Sequence, residues 1–192
     1  MSPIQTYLRP RMTVMSSYEE PHYKVVATTD RYEIRRYDSY LAAETTVDGD
    51  FDSTGNAAFR RLAGFIFGSN SERLKMNMTV PVTRQQIDTN GYRYRFVMER
   101  AYSEEELPLP VDGSVSLVRI PAGYSAALRY RGRRNEARYR RAEATLLAEL
   151  EGDGVVVAGS PVSAVYDGPL TPPVMRRNEV LVPVAWNEPQ SA

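Results

Sequence analysis

The chain has 192 residues, 42% of them hydrophobic, and its 24 basic and 24 acidic side chains give a formal charge of zero. Such a chain can bury a core, but it lacks the net positive charge that holds nucleic acid or an acidic membrane by counterion release. The absence of cysteine excludes disulfides and cysteine-ligated metals, and the single histidine, His22, cannot form a multi-histidine metal site. No apolar stretch approaches the roughly 20 residues that span a bilayer, so we expect a cytoplasmic protein without a membrane span.

The first half of the chain alternates between strand and helix patterns. Residues 1–18 follow neither period and are assigned to an N-terminal tail. Ser53 or Thr54 offers an N-cap for a helix that ends at Phe67, with Gly68 as the left-handed residue after it. Runs rich in Tyr, Val, Ile and Thr, or alternating in polarity, predict five strands, at residues 23–26, 32–36, 40–47, 78–84 and 92–102.

The second half of the chain repeats the first. The segment Tyr40-Leu-Ala-Ala recurs as Tyr124-Ser-Ala-Ala, at an offset of 124 − 40 = 84 residues. The same offset predicts a second helix from about residue 136, where Asn135 supplies a cap and Gly152 a terminator. It also carries two first-half strands onto strand-like runs at residues 162–166 and 180–184. We therefore predict an α+β fold in which two pseudo-symmetric β-β-α-β-β repeats, with one helix each, form one distorted β-barrel.

The repeat sets the expected domain organisation. Neither repeat can bury both faces of its sheet alone, so the acidic, proline-containing link 103–112 is interpreted as a connection within one domain. The expected bounds are residues 19–187 for the domain, about 23–102 for repeat one, about 113–187 for repeat two and 188–192 for a C-terminal tail. We expect the chain to be a monomer.

Five motifs carry a resemblance to a known family over about residues 20–184. They are Tyr32-Glu-Ile-Arg-Arg-Tyr, Gly68-Ser-Asn, Lys75-Met-Asn-Met-Thr-Val-Pro-Val, Tyr166-Asp-Gly-Pro and Arg176-Arg-Asn-Glu-Val. In this order and spacing they resemble the SOUL haem-binding protein family. The resemblance implies a distorted barrel of two repeats, similar to bacterial effector-binding domains, with an apolar groove that takes a tetrapyrrole. Some similar members carry a histidine considered as an iron ligand where this chain has Arg36, and others a propionate-binding lysine where it has Gly64.

The first predicted helix has more apolar surface than one packing partner can cover. At 100° per residue its apolar side chains form a wide stripe that comprises Ala58, Phe59, Leu62, Ala63, Phe65, Ile66 and Phe67. The second predicted helix has a narrow stripe of Tyr139, Ala142, Leu146 and Leu150. The surplus on the first helix indicates either a surface for a flat apolar ligand or a packing site for a loop or the N-terminal segment.

Together these patterns favour reversible, non-catalytic binding of haem or a related tetrapyrrole in an apolar groove, for buffering, transport or sensing. The expected contacts are Phe59, Leu62, Ala63, Phe67, Met76, Val174 and Met175, with Lys75 and Arg84 as candidates for the propionates. One alternative is an effector-binding module for amphipathic organic ligands that needs no iron. Another is a weak hydrolase that uses Glu44 and Glu179 as paired carboxylates in the same groove.

The sequence predicts no metal site of the protein's own. His22 stands in a charged run before the first strand, which favours a surface residue over an axial iron ligand. Met76 and Met78 could offer thioethers, but the alternation at 76, 78, 80 and 82 favours core positions. Neither residue type is therefore expected to fix iron.

Two arginine-rich runs have a structural interpretation. Residues 129–141 contain seven arginines, but the interspersed Glu136 and Glu143 favour a solvated surface, and no nucleic acid partner is expected. Near the C-terminal end, Glu179 is predicted to pair with Arg35 or Arg36 through charge-assisted hydrogen bonds that close one end of the barrel.

Overall fold

The computed structural model describes residues 18–168 and 170–187. Most of the predicted tail 1–18 and all of the tail 188–192 lie outside the described residues. The helices are α1 (Gly55–Ile66) and α2 (Glu136–Gly152), and a 3₁₀ turn covers Pro173–Met175. The strands are β1 (Tyr23–Thr28), β2 (Glu33–Tyr37), β3 (Tyr40–Asp48), β4 (Val82–Gln86), β5 (Gly91–Val97), β6 (Val115–Ile120), β7 (Gly123–Tyr130), β8 (Val156–Val157), β9 (Val162–Val165) and β10 (Asn178–Ala185).

The described strands form one curled antiparallel sheet, a half-barrel with β1 and β6 at its edges. Its order is β1-β2-β7-β10-β9-β4-β5-β3-β6, and β8 pairs with β10. Exchanging β2 with β6, β3 with β7, β4 with β9 and β5 with β10 reverses the order of these eight strands, so a pseudo-twofold axis passes between β4 and β9 and β1 has no counterpart. The predicted α+β fold with two pseudo-symmetric repeats is confirmed.

The two helix starts meet near this axis. The backbone N–H of Glu136 donates to Oδ1 of Asp52 at 3.2 Å. The two residues are 136 − 52 = 84 positions apart, so each helix start lies beside its own counterpart. The 84-residue offset that the sequence predicted is therefore also visible in the contact between the two halves.

The core lies between the helices and one face of the sheet. Along β10 the alternate residues Val180, Val182 and Val184 are buried on this face. Helix α1 packs on β3, β5 and β6, whereas α2 packs on β7, β10 and β8. The buried residues of α2 are Tyr139, Ala142, Leu146 and Leu150, which confirms the predicted stripe.

The helix ends follow the predicted positions with two differences. Asn135 caps α2 by accepting a hydrogen bond from the Arg138 N–H at 3.1 Å. Thr54 occupies the N-cap of α1, but its hydroxyl donates to the Asp50 carbonyl at 3.0 Å instead of capping the helix. Gly152 is the last residue of α2, as predicted, but the left-handed residue comes two positions later, at Gly154, with φ 70°.

The segment after α1 folds back onto the helix. The strand predicted at 78–84 begins only at Val82, because the preceding residues serve as a covering loop. Within this loop the buried Asn70 donates to the Phe65 carbonyl at 2.9 Å and the Leu74 carbonyl at 2.8 Å. The backbone N–H of Met76 donates to the Ile66 carbonyl at 2.9 Å. The loop therefore takes up part of the apolar surplus of α1.

Candidate functional site

Two aromatic side chains remain exposed on α1. Phe59 is 47% exposed and Phe67 is 54% exposed, whereas Leu62 and Ala63 are buried beneath them. The Phe59 ring packs edge-on against Phe96 of β5, with 5.4 Å between the ring centroids. The two exposed rings lie on one helical ridge because residues at i, i+4 and i+8 follow each other along a helix face. They leave α1 with an apolar surface outside the core.

The C-terminal end of α1 brings three of the predicted contacts together. Met76 is buried, and its backbone is bonded to Ile66, next to Phe67. Lys75 is exposed, and its Cγ lies 3.9 Å from the position that a Cβ on Gly68 would take. A cation is therefore available beside Phe67, at the edge of the apolar surface.

Arg84 lies at a different place from Lys75. It belongs to β4, where its guanidinium carbon stands 3.0 Å from the centroid of the Phe51 ring. One terminal nitrogen donates to the Phe51 carbonyl and also reaches the Tyr94 hydroxyl at 3.4 Å. This guanidinium is thus stacked on Phe51 and bonded to the protein through one nitrogen, and the two propionate candidates lie on different elements.

A cavity of about 280 Å³ lies where the connection from β4 to β5 meets α2. Its lining comprises Phe51, Arg84, Gln86, Ile87, Asp88, Tyr92, Tyr139, Arg140, Glu143, Ser160 and Pro161. Arg140 and Glu143 close on each other in this cavity, with 3.0 Å between Nη1 and Oε2. The wall that α2 contributes is therefore polar and ion-paired.

The pseudo-twofold axis relates this cavity to the region between α1 of the first repeat and the connection from β9 to β10 of the second. The 84-residue offset relates Glu143 to Phe59, so an exposed ring replaces an ion-paired carboxylate. The connection itself is also different, since residues 87–90 join β4 to β5 whereas residues 166–177 join β9 to β10. The longer connection carries Val174, which is 72% exposed, and Met175, which is 66% exposed. Both departures from the pseudo-symmetry add exposed apolar surface to the elements that the axis relates to the walls of the first cavity.

His22 lies on the opposite face of the sheet from α1. It lines a cavity of about 320 Å³ together with Val97, and its Nδ1 stands 2.6 Å from Oδ2 of Asp38. Val97 and the Phe96 that supports Phe59 are consecutive residues of β5, so their side chains point to opposite faces. The imidazole is therefore separated by the sheet from a ligand on α1.

A buried ionic network closes one end of the half-barrel. Arg35 donates to both carboxylate oxygens of Glu179, at 2.6 and 3.1 Å, which confirms the predicted pair with Arg35 as the partner. The same carboxylate accepts hydrogen bonds from Arg177 at 3.0 Å and from the Tyr166 hydroxyl at 2.9 Å. Burial opposes ionisation, yet the two arginines together lower the pKa of Glu179 to about 2. Glu179 is therefore a structural anion and not a proton carrier.

Glu44 cannot form a carboxylate pair with Glu179. Glu44 lies on β3 and Glu179 on β10, with β9, β4 and β5 between them in the sheet. Four strand spacings correspond to about 19 Å. Glu44 is itself paired with Arg93 at 3.2 Å and Arg95 at 2.7 Å. The geometry does not favour hydrolysis by these two residues.

Within residues 18–168 and 170–187, no cluster of three or more His, Cys, Asp or Glu side chains has the arrangement of a metal site. In the same part of the chain, neither helix has the length and apolar character needed to cross a membrane.

The fold defines the class of the protein, an α+β half-barrel of the effector-binding-domain type. Solved structures with this fold include the C-terminal domain of EcmrR, at 14% identity and a TM-score of 0.64, covering 85% of this chain and 98% of that domain. A hydrolase from Listeria innocua is similar at 13% identity and a TM-score of 0.60, covering 81% of this chain and 92% of its own. At such identities the likeness concerns the fold alone.

The family follows from the sequence over most of its length. The model of the SOUL heme-binding protein family matches residues 18–183, and the chain belongs to this family. Comparison with curated proteins gives no match.

Sequence reasoning missed two features of this region. Asn70 appeared only as part of a motif, although its side chain ties the covering loop to the end of α1. The unequal connections 87–90 and 166–177 were also overlooked. Aligning the two repeats at the 84-residue offset would have revealed the longer connection, because the strands on both sides of it were recognised.

Proposed function

We propose that the protein reversibly binds haem or a related tetrapyrrole in the groove between α1 and the connection 166–177. The observation that supports this proposal is the exposed apolar surface that the two departures from pseudo-symmetry add, with Phe59 on α1 and Val174 and Met175 on the longer connection. Membership of a haem-binding family supports a tetrapyrrole as the class of ligand.

The residues present fit the macrocycle better than they fit the iron. Phe59, Phe67, Val174 and Met175 offer exposed apolar surface to a flat ring, at about 25 cal/mol per Å² of apolar area buried. Leu62, Ala63 and Met76 support this surface from the core and are not themselves open to a ligand. His22 lies across the sheet, so affinity comes from burial of the ring and from contacts with the propionates, and micromolar dissociation constants are expected.

The proposed role is buffering, transport or sensing without catalysis. The balanced charge of the chain argues against a nucleic acid partner. We further propose that the protein is a cytoplasmic monomer. We also retain 19–187 as the bounds of the binding domain, with repeats at about 23–102 and 113–187. A generic module for amphipathic ligands remains the competing function, and it predicts equal affinity for unrelated hydrophobic compounds.

Titration with hemin and with iron-free protoporphyrin IX tests the proposal. Phe59→Asp and Phe67→Asp place a charge against the apolar ring and should each weaken binding at least tenfold. Val156→Asp, at a 64% exposed position on β8, is the control and should leave binding within twofold. Melting temperatures should fall by only a few degrees, because both aromatic side chains are already about half exposed.

Two results would contradict the proposal. If Phe59→Asp and Phe67→Asp abolish folding as well as binding, the exposed ridge of α1 belongs to the core. If unrelated hydrophobes compete as well as protoporphyrin, the groove is a generic effector site.

A further inference from the structure

The cavity of about 280 Å³ between the β4–β5 connection and α2 has aromatic side chains in its lining. The rings of Phe51 and Tyr139 are stacked, with 5.2 Å between their centroids. Tyr92 meets Phe51 edge-on at 5.9 Å, and Ile87 and Pro161 add apolar surface. The volume lies at the lower end of the range of about 300–1,000 Å³ that small-molecule sites have, so the cavity fits a single ring and not a tetrapyrrole.

Arg84 contributes a positive charge to this cavity, and aromatic rings hold it in place. Its guanidinium carbon lies 3.0 Å from the Phe51 centroid and 5.8 Å from the centroids of Tyr92 and Tyr94. Nη1 is bonded to the Phe51 carbonyl, and Nε is buried without a hydrogen-bond partner. Among the described residues Nη2 has no hydrogen-bond partner either, and unlike Nε it is not enclosed by protein atoms. The N–H groups of Nη2 are therefore available to a ligand.

The charge of Arg84 is not matched by a carboxylate. Within residues 18–168 and 170–187, Arg84 forms no ion pair. The other arginine in the lining, Arg140, is paired with Glu136 at 3.3 Å and with Glu143 at 3.0 Å. An anionic ligand would therefore give Arg84 the partner that Arg140 already has.

The rest of the lining determines which anion fits. Asp88 and Glu143 belong to the same cavity, and their negative charges disfavour a dianion such as phosphate. The apolar surface of Ile87 and Pro161 favours a ligand with a hydrophobic part. The hydroxyl of Tyr92 has no hydrogen-bond partner among the described residues, and burial raises its pKa, so it stays protonated and can donate. These features favour an apolar ring that carries one carboxylate.

We propose that this cavity is a ligand site separate from the tetrapyrrole groove, and that it binds a monocyclic aromatic carboxylate. The carboxylate accepts charge-assisted hydrogen bonds from Nη2 of Arg84 and a further hydrogen bond from the Tyr92 hydroxyl. The ring contacts the apolar part of the lining, which Ile87 and Pro161 extend towards solvent. This inference goes beyond the proposed function and does not depend on it, because the cavity borders α2 whereas the tetrapyrrole groove borders α1.

Titration with benzoate, benzamide and inorganic phosphate, followed by NMR of the backbone amides, tests the inference. Benzoate should bind saturably, with a dissociation constant of about 1 mM or below for a ligand of this size. Benzamide has a similar shape without the charge, so it should bind at least tenfold more weakly, and phosphate more weakly still. The amide signals of Ile87 and Asp88 should shift, and those of Phe59 and Phe67 on α1 should not.

Substitutions separate the charge from the apolar surface. Arg84→Gln should weaken benzoate binding at least tenfold and remove the preference over benzamide, whereas Arg84→Lys keeps the charge and should retain part of it. Tyr92→Phe leaves the ring in place and should weaken benzoate binding about three- to tenfold, which gives a second test if Arg84→Gln does not fold. Arg131→Gln, in the exposed loop before α2, is the matched control and should leave binding within twofold.

Four results would overturn the inference. Equal affinity for benzoate and benzamide would mean that the cavity does not select an anion, and phosphate binding as tight as that of benzoate would contradict the aromatic class. Unchanged benzoate affinity in both Arg84→Gln and Tyr92→Phe would mean that these donors do not contact the ligand. Absence of saturable benzoate binding up to about 20 mM would exclude the site.

A competition experiment keeps this inference apart from the proposed function. With benzoate at saturation, affinity for protoporphyrin IX should stay within twofold, because the two ligands occupy different sites. Mutual displacement would place benzoate in the tetrapyrrole groove and overturn this inference while tetrapyrrole binding stands. If benzoate binds as expected and protoporphyrin does not bind, the proposed function fails and this inference stands.

Discussion

At the residue scale, the buried charges around Glu179 stabilise the fold, whereas the exposed rings of Phe59 and Phe67 belong to the proposed groove. The carboxylate of Glu179 is almost completely buried, and it is stabilised by Arg35, Arg177 and Tyr166. Burial raises the pKa of Tyr166, as does the neighbouring Glu179, so this hydroxyl stays protonated and donates to the carboxylate. The network is therefore complete without a ligand.

The depressed pKa of Glu179 predicts acid sensitivity. Its pKa falls from an ordinary value of 4.5 to about 2 in the folded protein. Because the folded-state value is the lower one, this stabilisation is present above pH 4.5 and is lost as the pH falls from 4.5 towards 2. The full effect is about 3 kcal/mol of unfolding free energy, and urea unfolding at pH 7, 4 and 3 measures it.

Substitutions distinguish the buried carboxylate of Glu179 from an exposed carboxylate. Glu179→Gln leaves Arg35 and Arg177 without their shared anion, so we expect a loss of about 3–5 kcal/mol at pH 7 and a weaker dependence on pH. Glu104→Gln removes the exposed partner of Arg119 and should cost less than about 1 kcal/mol. Equal losses in the two variants would mean that the buried network is not a major source of stability.

The position of His22 predicts a small role in haem binding. Because the sheet separates its ring from Phe59, His22→Ala should change hemin affinity by less than tenfold, about 1.4 kcal/mol. Iron-free protoporphyrin should compete well, since no fixed imidazole distinguishes the two compounds. A hundredfold loss of hemin affinity, with disappearance of a six-coordinate low-spin spectrum, would identify His22 as an axial ligand.

At the element scale, the two helices differ in how much of their behaviour the sequence could predict. All four buried residues of α2 were predicted because a single stripe has only one face to bury. In α1, Leu62 and Ala63 were predicted as ligand contacts but lie in the core. A helical pattern gives the direction of each side chain around the helix axis, but it does not say which other segment covers that side chain. On α1 the loop held by Asn70 covers part of the apolar surface, and the helical pattern does not predict the conformation of that loop.

The end of α2 allows a direct comparison of the predicted and observed terminators. Gly152 is helical, and a methyl group added at its Cα would meet open space, so Gly152→Ala should stabilise the protein by about 0.5–1 kcal/mol. Gly154 has φ 70°, so Gly154→Ala should destabilise it by about 1 kcal/mol although the space is also open. Chemical unfolding of the two variants provides the measurement. If both substitutions stabilise the protein, or both destabilise it, the observed end of α2 is contradicted.

At the scale of the whole molecule, the two repeats account for the arrangement of strands and helices, and their differences account for the exposed apolar surface of the proposed groove. The strand order and the Asp52–Glu136 contact follow the pseudo-twofold axis, and these features were accessible from the 84-residue repeat. The proposed groove was less accessible, because it depends on how α1 of one repeat lies relative to a connection of the other. Val174 and Met175 were among the expected contacts, although no periodic pattern of the sequence indicates them. Both are exposed in the folded chain.

Shortening the long connection tests whether this asymmetry makes the binding site. Replacing residues 169–175 with three glycines removes Val174 and Met175 and the hydrogen bond from Gly132 to Pro173, but keeps Asp167 and Arg177 in place. The fold should survive with a modest fall in melting temperature, because the large apolar side chains of Leu170, Val174 and Met175 are exposed. Affinity for protoporphyrin IX should fall at least tenfold, measured by fluorescence titration. Ile87→Ser, in the equivalent short connection of the other repeat, should leave affinity within twofold. Unchanged binding in the shortened variant would place the tetrapyrrole elsewhere on the half-barrel.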